Sequence, residues 1–277
     1  MKDKIALLAD VHGNSTALES VLKDCEHREV SDYWILGDLF LPGPGGKDIL
    51  KNLRAVTPSA WIRGNWDDCF SDVVDKKIDF DDPTDVYVGM LASVIIPQFD
   101  QADIDFFKKM PIQRIKKIAG LNISLTHNLP EINYGGQLHP SSNQSEFDKL
   151  FSIENDIAVY AHIHHQTLRY SSNDQIIINP GSIGQPFNGW KHFKHDRRAH
   201  YAILEVEDGC LVNVDFRRIS YDVEKELKRA QEVNLPFYNL YEEMLYSGKT
   251  YTHDAVVLGD LIEKNNYKER LADFLSS

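Results

Sequence analysis

Among 277 residues the chain has only three cysteines, Cys25, Cys69 and Cys210, far apart and in no CxxC pair. An odd, dispersed set excludes a disulfide framework or a thiolate zinc cage and reads as reduced cytosolic thiols. Long apolar runs are also missing. The opening MKDKIALLADVHGN holds too short an apolar stretch for a secretory leader, and no later stretch approaches a membrane span. A cytoplasmic location is the default expectation. Positive charge is scarce: 30 Lys and Arg against 42 Asp and Glu give a net charge of −12. That argues against extended nucleic-acid binding, which needs a basic face to displace counterions. A local pocket could still attract phosphate if metal ions supply the charge. Internal repeats and low-complexity linkers are absent as well.

What is present is a regular alternation. KIALLAD reads as a buried strand ended by an acid, and Ser15 to about Cys25 has a helical face of Leu18, Val21 and Leu22. SDYWILGD repeats the strand; LPGPGG leads to a helix over Lys47–Arg54; SAWIRGN is a third strand. Residues 67–110 are mainly helical. IQRIKKIA and LNISLTH form two strands, followed by a polar loop and a short helix near Glu146–Phe151. DIAVYAHIHH and QIIINPGS are further strands, and YAILEVEDGCLVNVDFRRI is a hairpin turning at Asp208-Gly209. After Tyr221 the pattern is helical, broken around Ser247–Thr252. This order predicts an α/β core over residues 1–220 and a C-terminal helical extension over 221–277. The extension packs on that core, covers one side of a site, or supports a dimer.

Several apolar runs end in polar clusters: Asp10, His12 and Asn14; Asp38; Asn65 and Asp67; His127; and His162, His164 and His165. Residues just past the carboxyl ends of strands in an α/β sheet converge on one crevice. Singly, each is ordinary turn or cap chemistry. Together, carboxylate oxygen, imidazole nitrogen and amide oxygen suit manganese, iron or zinc. Two such ions clamp phosphate oxygens and generate hydroxide near neutral pH.

In this order the segments Asp10-Val11-His12, Gly37-Asp38, Gly64-Asn65-Trp66-Asp67, His127 and Ala161-His162-Ile163-His164 resemble the calcineurin-like metallophosphoesterases. Their pattern is D-x-H, G-D, G-N-H-[DE], H and G-H-x-H. NPGSIGQP (179–186), GDLFLPGPGG and DRRAHYAIL are similar to the compact bacterial branch, and the likeness spans roughly residues 4 to 225. It implies a four-layer αββα sandwich. It also implies that Asp10, His12 and His164 hold one metal, that Asn65, His127 and His162 hold the other, and that Asp38 bridges them. Asp38, Asn65 and His127 would then be the catalytic residues, with the Asn65 amide helping to stabilise charge at phosphorus.

Ala161 and Asn128 replace glycines of the pattern, a small backbone matter. Trp66 stands where the family has a histidine assigned as proton donor or phosphate contact, and an indole transfers no useful proton. This points towards phosphoanhydrides or activated phosphodiesters, whose leaving groups need no proton. Trp66 either stacks a nucleobase or packs on the following helix. Lys191, His192, Lys194, Arg197 and Arg198 either hold distal phosphates or form a solvated loop. Tyr134 and His139 either wall the pocket, with His139 supplying the proton, or belong to a surface loop. The expected function is a phosphodiesterase acting on small nucleotide-like substrates. The preferred activity is asymmetric hydrolysis of diadenosine tetraphosphate, a dinucleoside polyphosphate, to ATP and AMP. The alternatives are a phosphomonoesterase or protein phosphatase, and a non-catalytic scaffold of the same fold.

Overall fold

The computed structural model describes residues 3–152 and 154–276; residues 1, 2 and 277, at the ends of the two predicted segments, lie outside it. The chain begins β1 (Asp3–Leu8), α1 (Ser15–His27), β2 (Asp32–Ile35), α2 (Lys47–Ala55), β3 (Ala60–Trp61). Three helices follow, α3 (Asn65–Val74), α4 (Pro83–Ile95) and α5 (Gln101–Lys109), then the hairpin β4 (Gln113–Ile118) and β5 (Leu121–Thr126). Next come α6 (Gln144–Asp148), β6 (Ile157–Val159), β7 (Gln166–Tyr170), β8 (Ile176–Pro180), β9 (Ala199–Glu207) and β10 (Cys210–Ile219). The chain ends with α7 (Val223–Glu232), α8 (Tyr238–Ser247), α9 (Ala255–Lys264) and α10 (Tyr267–Ser276). Helix starts are set by short polar side chains. Asn14, Asp82, Asp100, Asp222 and Asp254 each accept an otherwise unpaired first-turn amide, of α1, α4, α5, α7 and α9.

The strands form two five-stranded mixed sheets, in the orders β10-β9-β1-β2-β3 and β4-β5-β6-β8-β7. β1, β2 and β3 pair in parallel, as do β5, β6 and β8. Because β1 is buried on both faces, its apolar run is continuous rather than alternating. Ile5 and Leu7 meet Ile123, Leu125 and Val159 between the sheets, while Ala6 and Leu8 face the helices. The outer layers are unequal. The first sheet is covered by one large cluster that includes Leu18, Leu50, Phe70 and Leu91. The second carries little beyond α6, with Leu138, Phe147 and Leu150 on Tyr160 and Ile177. The architecture is thus the four-layer α/β sandwich that the sequence resemblance implies, with a thin fourth layer.

From the C-terminal helices, Leu227, Tyr241, Leu258 and Leu271 enter the same apolar cluster as Ala6 and Phe40. Among the described residues no helix is long and apolar enough to cross a membrane.

Two local expectations need correction. β3 is only two residues long, and β6 ends at Val159 rather than running into the histidines, because His162 and His164 adopt left-handed φ of 65° and 59°. β7 carries no expectation from the sequence; it is an edge strand whose Leu168 and Tyr170 point to solvent, so it lacks an apolar face to betray it.

Candidate metal centre

Five strand-end loops, after β1, β2, β3, β5 and β6, carry the seven polar residues picked out as metal ligands. Asp10, His12, Asp38, His162 and His164 all have positive φ. A non-glycine residue pays for that conformation, and such strain persists where surrounding contacts over-determine it. Here it turns successive side chains towards one point instead of to alternate faces. Gly37, at φ +93°, packs so tightly that a Cβ would strike the Gly64 backbone and the His127 ring. A Cβ on Gly64 would in turn strike Asp38. The glycines before Asp38 and Asn65 therefore let two loops touch at the site.

The loops bring all seven residues together. Asp10, His12 and His164 place one ligand atom each within 4.8 Å of one another, and Asp38, His127 and His162 do the same. Asp38 Oδ2 lies 3.6 Å from His12 Nε2 and 3.2 Å from His127 Nε2, between the two groups. Asn65 Oδ1 is 3.2 Å from His127 Nε2. Asp10 Oδ1 sits 3.5 Å from His164 Nε2 and 3.8 Å from His127 Nε2.

Backbone carbonyls fix the rings. Nδ1–H donates to Leu41 O from His12 (2.8 Å), to Leu36 O from His127 (2.6 Å) and to Gln185 O from His164 (2.7 Å). Each contact orients an Nε2 towards the centre, as outer partners of metal-bound histidines do. His12 Nε2 and His164 Nε2 then face each other at 3.2 Å. If both are unprotonated, two lone pairs oppose one another. Both Asp10 oxygens are fully buried without a hydrogen-bond partner. Leaving a carboxylate so placed is costly unless a cation compensates it. The residues present fit two metal ions.

Electrostatics agree. Burial, only partly offset by Asp38, pushes His12 down to about 4; burial and the charge of His127 do the same to His162. Both rings are neutral and available as ligands. Burial also disfavours charge on His127, but the Asp38 carboxylate beside it wins and raises it to about 10. Asp38 is held well below the usual carboxylate range by His127 against its own burial. A cation would take over this pairing and release the His127 proton.

One supporting residue lies outside the predicted ligand set. Asp67 accepts the backbone amides of Asp38 (2.9 Å), Leu39 (3.0 Å) and Gly64 (2.8 Å), tying the two touching loops. Its place in Gly64-Asn65-Trp66-Asp67 was the available signal.

Above the ligands lies a cavity of about 360 Å³. Of the predicted substrate contacts, Trp66 and His139 line it. Trp66, in the first turn of α3, meets the His12 ring edge-on at 5.6 Å and also packs against the helical core. Tyr134 (62% exposed), Lys191, His192 and Arg198 do not line it. Arg198 is engaged with Asp196 at 2.6 Å. Arg197 faces a separate, smaller cavity beside His164, where its guanidinium donates to the Pro186 carbonyl. Sequence reasoning missed the rest of the wall: Gln185, Phe187, Thr250, Thr252 and His253. The last three come from between α8 and α9, and only the break in helical pattern near 247–252 marked that segment.

The chain is similar in sequence and fold to known proteins. An uncharacterized protein of Methanocaldococcus jannaschii is 23% identical over 254 residues, spanning 85% of this chain and 95% of that protein. The crystal structure of a hypothetical protein from Pyrococcus horikoshii superposes with a TM-score of 0.71 at 20% identity, covering 89% of this chain and 99% of that one. A metallophosphoesterase from Sphaerobacter thermophilus superposes with a TM-score of 0.67 at 22% identity, covering 89% and 100%. These likenesses establish the fold. The family follows from a profile for the calcineurin-like phosphoesterase superfamily domain, which matches residues 4–209. With its paired ligand groups at the strand ends, the chain belongs to the calcineurin-like phosphoesterase superfamily.

Proposed function

We propose that the protein is a cytoplasmic two-metal hydrolase of phosphodiesters and phosphoanhydrides, acting on small nucleotide-like substrates. The observation that carries the reading is Asp38, one oxygen of which faces both ligand groups, at 3.6 and 3.2 Å. Manganese, iron or zinc suit these donors, and a bound pair would supply an acidified water and polarise the phosphate. Asp38 would be the residue shared by the two ions, and His127, fixed by the Leu36 carbonyl, keeps its Nε2 turned inward. Asn65, at the start of α3, has its amide oxygen towards His127, which leaves its N–H₂ to meet a phosphate oxygen.

The cavity wall narrows the substrate class. Among the described residues no Lys or Arg lines it, which favours a phosphorus carrying one negative charge, as in a diester or an internal anhydride, over a dianionic monoester. Trp66 offers an aromatic face for a base. Diadenosine tetraphosphate, cleaved asymmetrically to ATP and AMP, is one member of that class. The basic stretch 191–198 stands off the cavity, so its support for a polyphosphate tail is lost. The likeness of residues 179–186 to the compact bacterial branch belongs with this proposal. Trp66 alone does not set the leaving group, because His139, His165 and His253 bring other imidazoles to the cavity.

The test is manganese-supplemented turnover of bis(p-nitrophenyl) phosphate, diadenosine tetraphosphate, p-nitrophenyl phosphate and a phosphoserine peptide, with products separated by chromatography. The diester or dinucleotide is expected to turn over fastest, and Asp38→Ala to lose at least about 10³-fold, the scale of removing a transition-state charge stabiliser. Fastest turnover of the peptide would make the protein a phosphatase. Metal uptake without turnover would make it a scaffold.

A further inference from the structure

We propose that His253, from the segment between α8 and α9, donates the proton to the leaving oxygen in this cavity. The inference rests on the phosphoester-hydrolase reading above and adds a residue beyond the stretch 4–209 that carries the family match. The first turn of α3 holds Trp66 where the family pattern has a histidine, so no imidazole stands there; of its two carboxylates, Asp67 is occupied by three backbone amides and Asp68 pairs with Arg63.

The segment carrying His253 is fastened on both sides. Tyr251 before it is buried, with its hydroxyl on the Glu243 carboxylate. The Thr252 carbonyl accepts the Thr84 hydroxyl at 2.9 Å, from the first turn of α4. Asp254 after it caps α9 by accepting the Val257 amide at 3.1 Å. Between these anchors His253 is exposed and lines the cavity with Asp38 and Trp66. Among the described residues its imidazole has no hydrogen-bond or ion-pair partner, so both nitrogens are free.

The other two non-ligand imidazoles of the cavity each have Nδ1 engaged and a ring face or edge packed against a neighbour. His165 Nδ1 donates to the Ile163 carbonyl at 3.0 Å and its ring lies 4.7 Å from Phe187. His139 Nδ1 pairs with the Ser141 hydroxyl at 2.8 Å and its ring edge packs on His165. Both arrive with the second sheet. His253 comes instead from the segment before α9, which Thr252 ties to Thr84 of α4; α4 packs on α3, the helix that carries Trp66, and both residues line the cavity. In the reaction the water oxygen bonds to phosphorus and the P–O ester bond breaks with its electron pair on the leaving oxygen. That oxygen takes the proton of the His253 imidazolium, and the proton lost by water returns to the imidazole through solvent.

The test compares the unsubstituted protein, His253→Gln and His139→Gln on bis(p-nitrophenyl) phosphate and on a dithymidine monophosphate, whose leaving group is an alkoxide. His253→Gln is expected to slow the dinucleotide about 10²-fold or more, the ordinary worth of a general acid, and to leave the aryl diester little changed. Equal losses on both substrates, no loss, or a selective loss confined to His139→Gln would overturn the assignment. An unsubstituted enzyme that cleaves only the aryl diester would overturn it too, since no donor is then at work. A second readout needs no turnover: Mn²⁺ added to the protein should broaden the His253 ring-proton signals, identified by their absence from His253→Gln. Signals that stay sharp place the ring too far from the metals and reject the proposal. An unsubstituted protein inert on both diesters defeats the parent reading instead, whereas an active His253→Gln enzyme without leaving-group selectivity defeats this one alone.

Discussion

The floor of the cavity and its rim differ in how their side chains are held. On the floor, Asp10, His12, Asp38 and His127 are almost fully buried; Asp10, His12 and Asp38 have left-handed backbones, and backbone groups fix the orientation of His12, Asp38 and His127. On the rim, His139 and His253 are exposed; His139 hydrogen-bonds Ser141 within its own loop, and among the described residues the His253 ring has no hydrogen bond although its segment is anchored through Thr252 to Thr84. A floor of this kind fixes ligand geometry at the expense of local strain and buried charge. A rim of this kind leaves the ligand geometry intact when it changes, so the choice of substrate and leaving group can vary while the metal site stays.

The largest expected effect of a residue that is not itself a ligand is on the floor. Asp67→Ala leaves the amides of Asp38, Leu39 and Gly64 without their acceptor. Each unsatisfied buried group costs about 1–3 kcal/mol. A stability loss of about 3 kcal/mol or more is expected in denaturant unfolding, with metal affinity down about 10–100-fold by calorimetric titration. Unchanged metal affinity would show that the floor does not depend on this tie, and the contrast with the rim would fail.

The floor was legible in the sequence because its demands fall within a few neighbouring residues. Asp10 and His12 share one turn, Gly37 precedes Asp38 because a side chain there would collide, and His162 and His164 share another turn. The sheets were mostly legible for a similar reason: β1 and β5 are buried runs that end in polar residues. What escaped were features set by distant partners. β7 is held by pairing with β8 and by the Gln166 amide, which donates to the carbonyls of Tyr201 and Arg217. The rim segment at Thr252 is fixed by Thr84, 168 residues away in sequence. The direction of the basic stretch 191–198 was not legible either, because charge pattern gives composition, not direction; Lys191, His192 and Arg198 do not line the cavity.

A middle-sized effect tests the floor from behind. The His200 amide donates to the Ser182 carbonyl at 2.9 Å, and the Ser182 hydroxyl donates to the Asp10 carbonyl at 2.9 Å. The His200 ring is buried with neither nitrogen partnered, and burial, then the charge of Arg218, pushes it down to about 3. In the unfolded chain it takes up a proton near 6.5. Between those values the unfolded state binds more protons, so the folded state weakens as pH falls from 6.5 and levels off near 3. His200→Leu should reduce the loss of unfolding free energy between pH 7 and pH 4 relative to the unsubstituted protein. An identical loss in both would place the acid sensitivity elsewhere.

The smallest effect is expected on the rim. Trp66 divides its ring between the helical core, the edge of His12 and the cavity, so only part of its face is open to a base. Stacking of a base on an aromatic ring is worth about 1–3 kcal/mol, and a partly open face points to the low end. Trp66→Ala should raise KM for a dinucleotide about 5–10-fold and leave kcat nearly unchanged, since no ligand atom is removed. Lys191→Ala combined with Arg198→Ala should leave both constants alone, because neither residue lines the cavity. A fall in kcat for Trp66→Ala would mean that its contact with His12 holds a ligand ring in place. Trp66 would then belong to the floor, and the boundary between the two regions would run through α3 rather than above it.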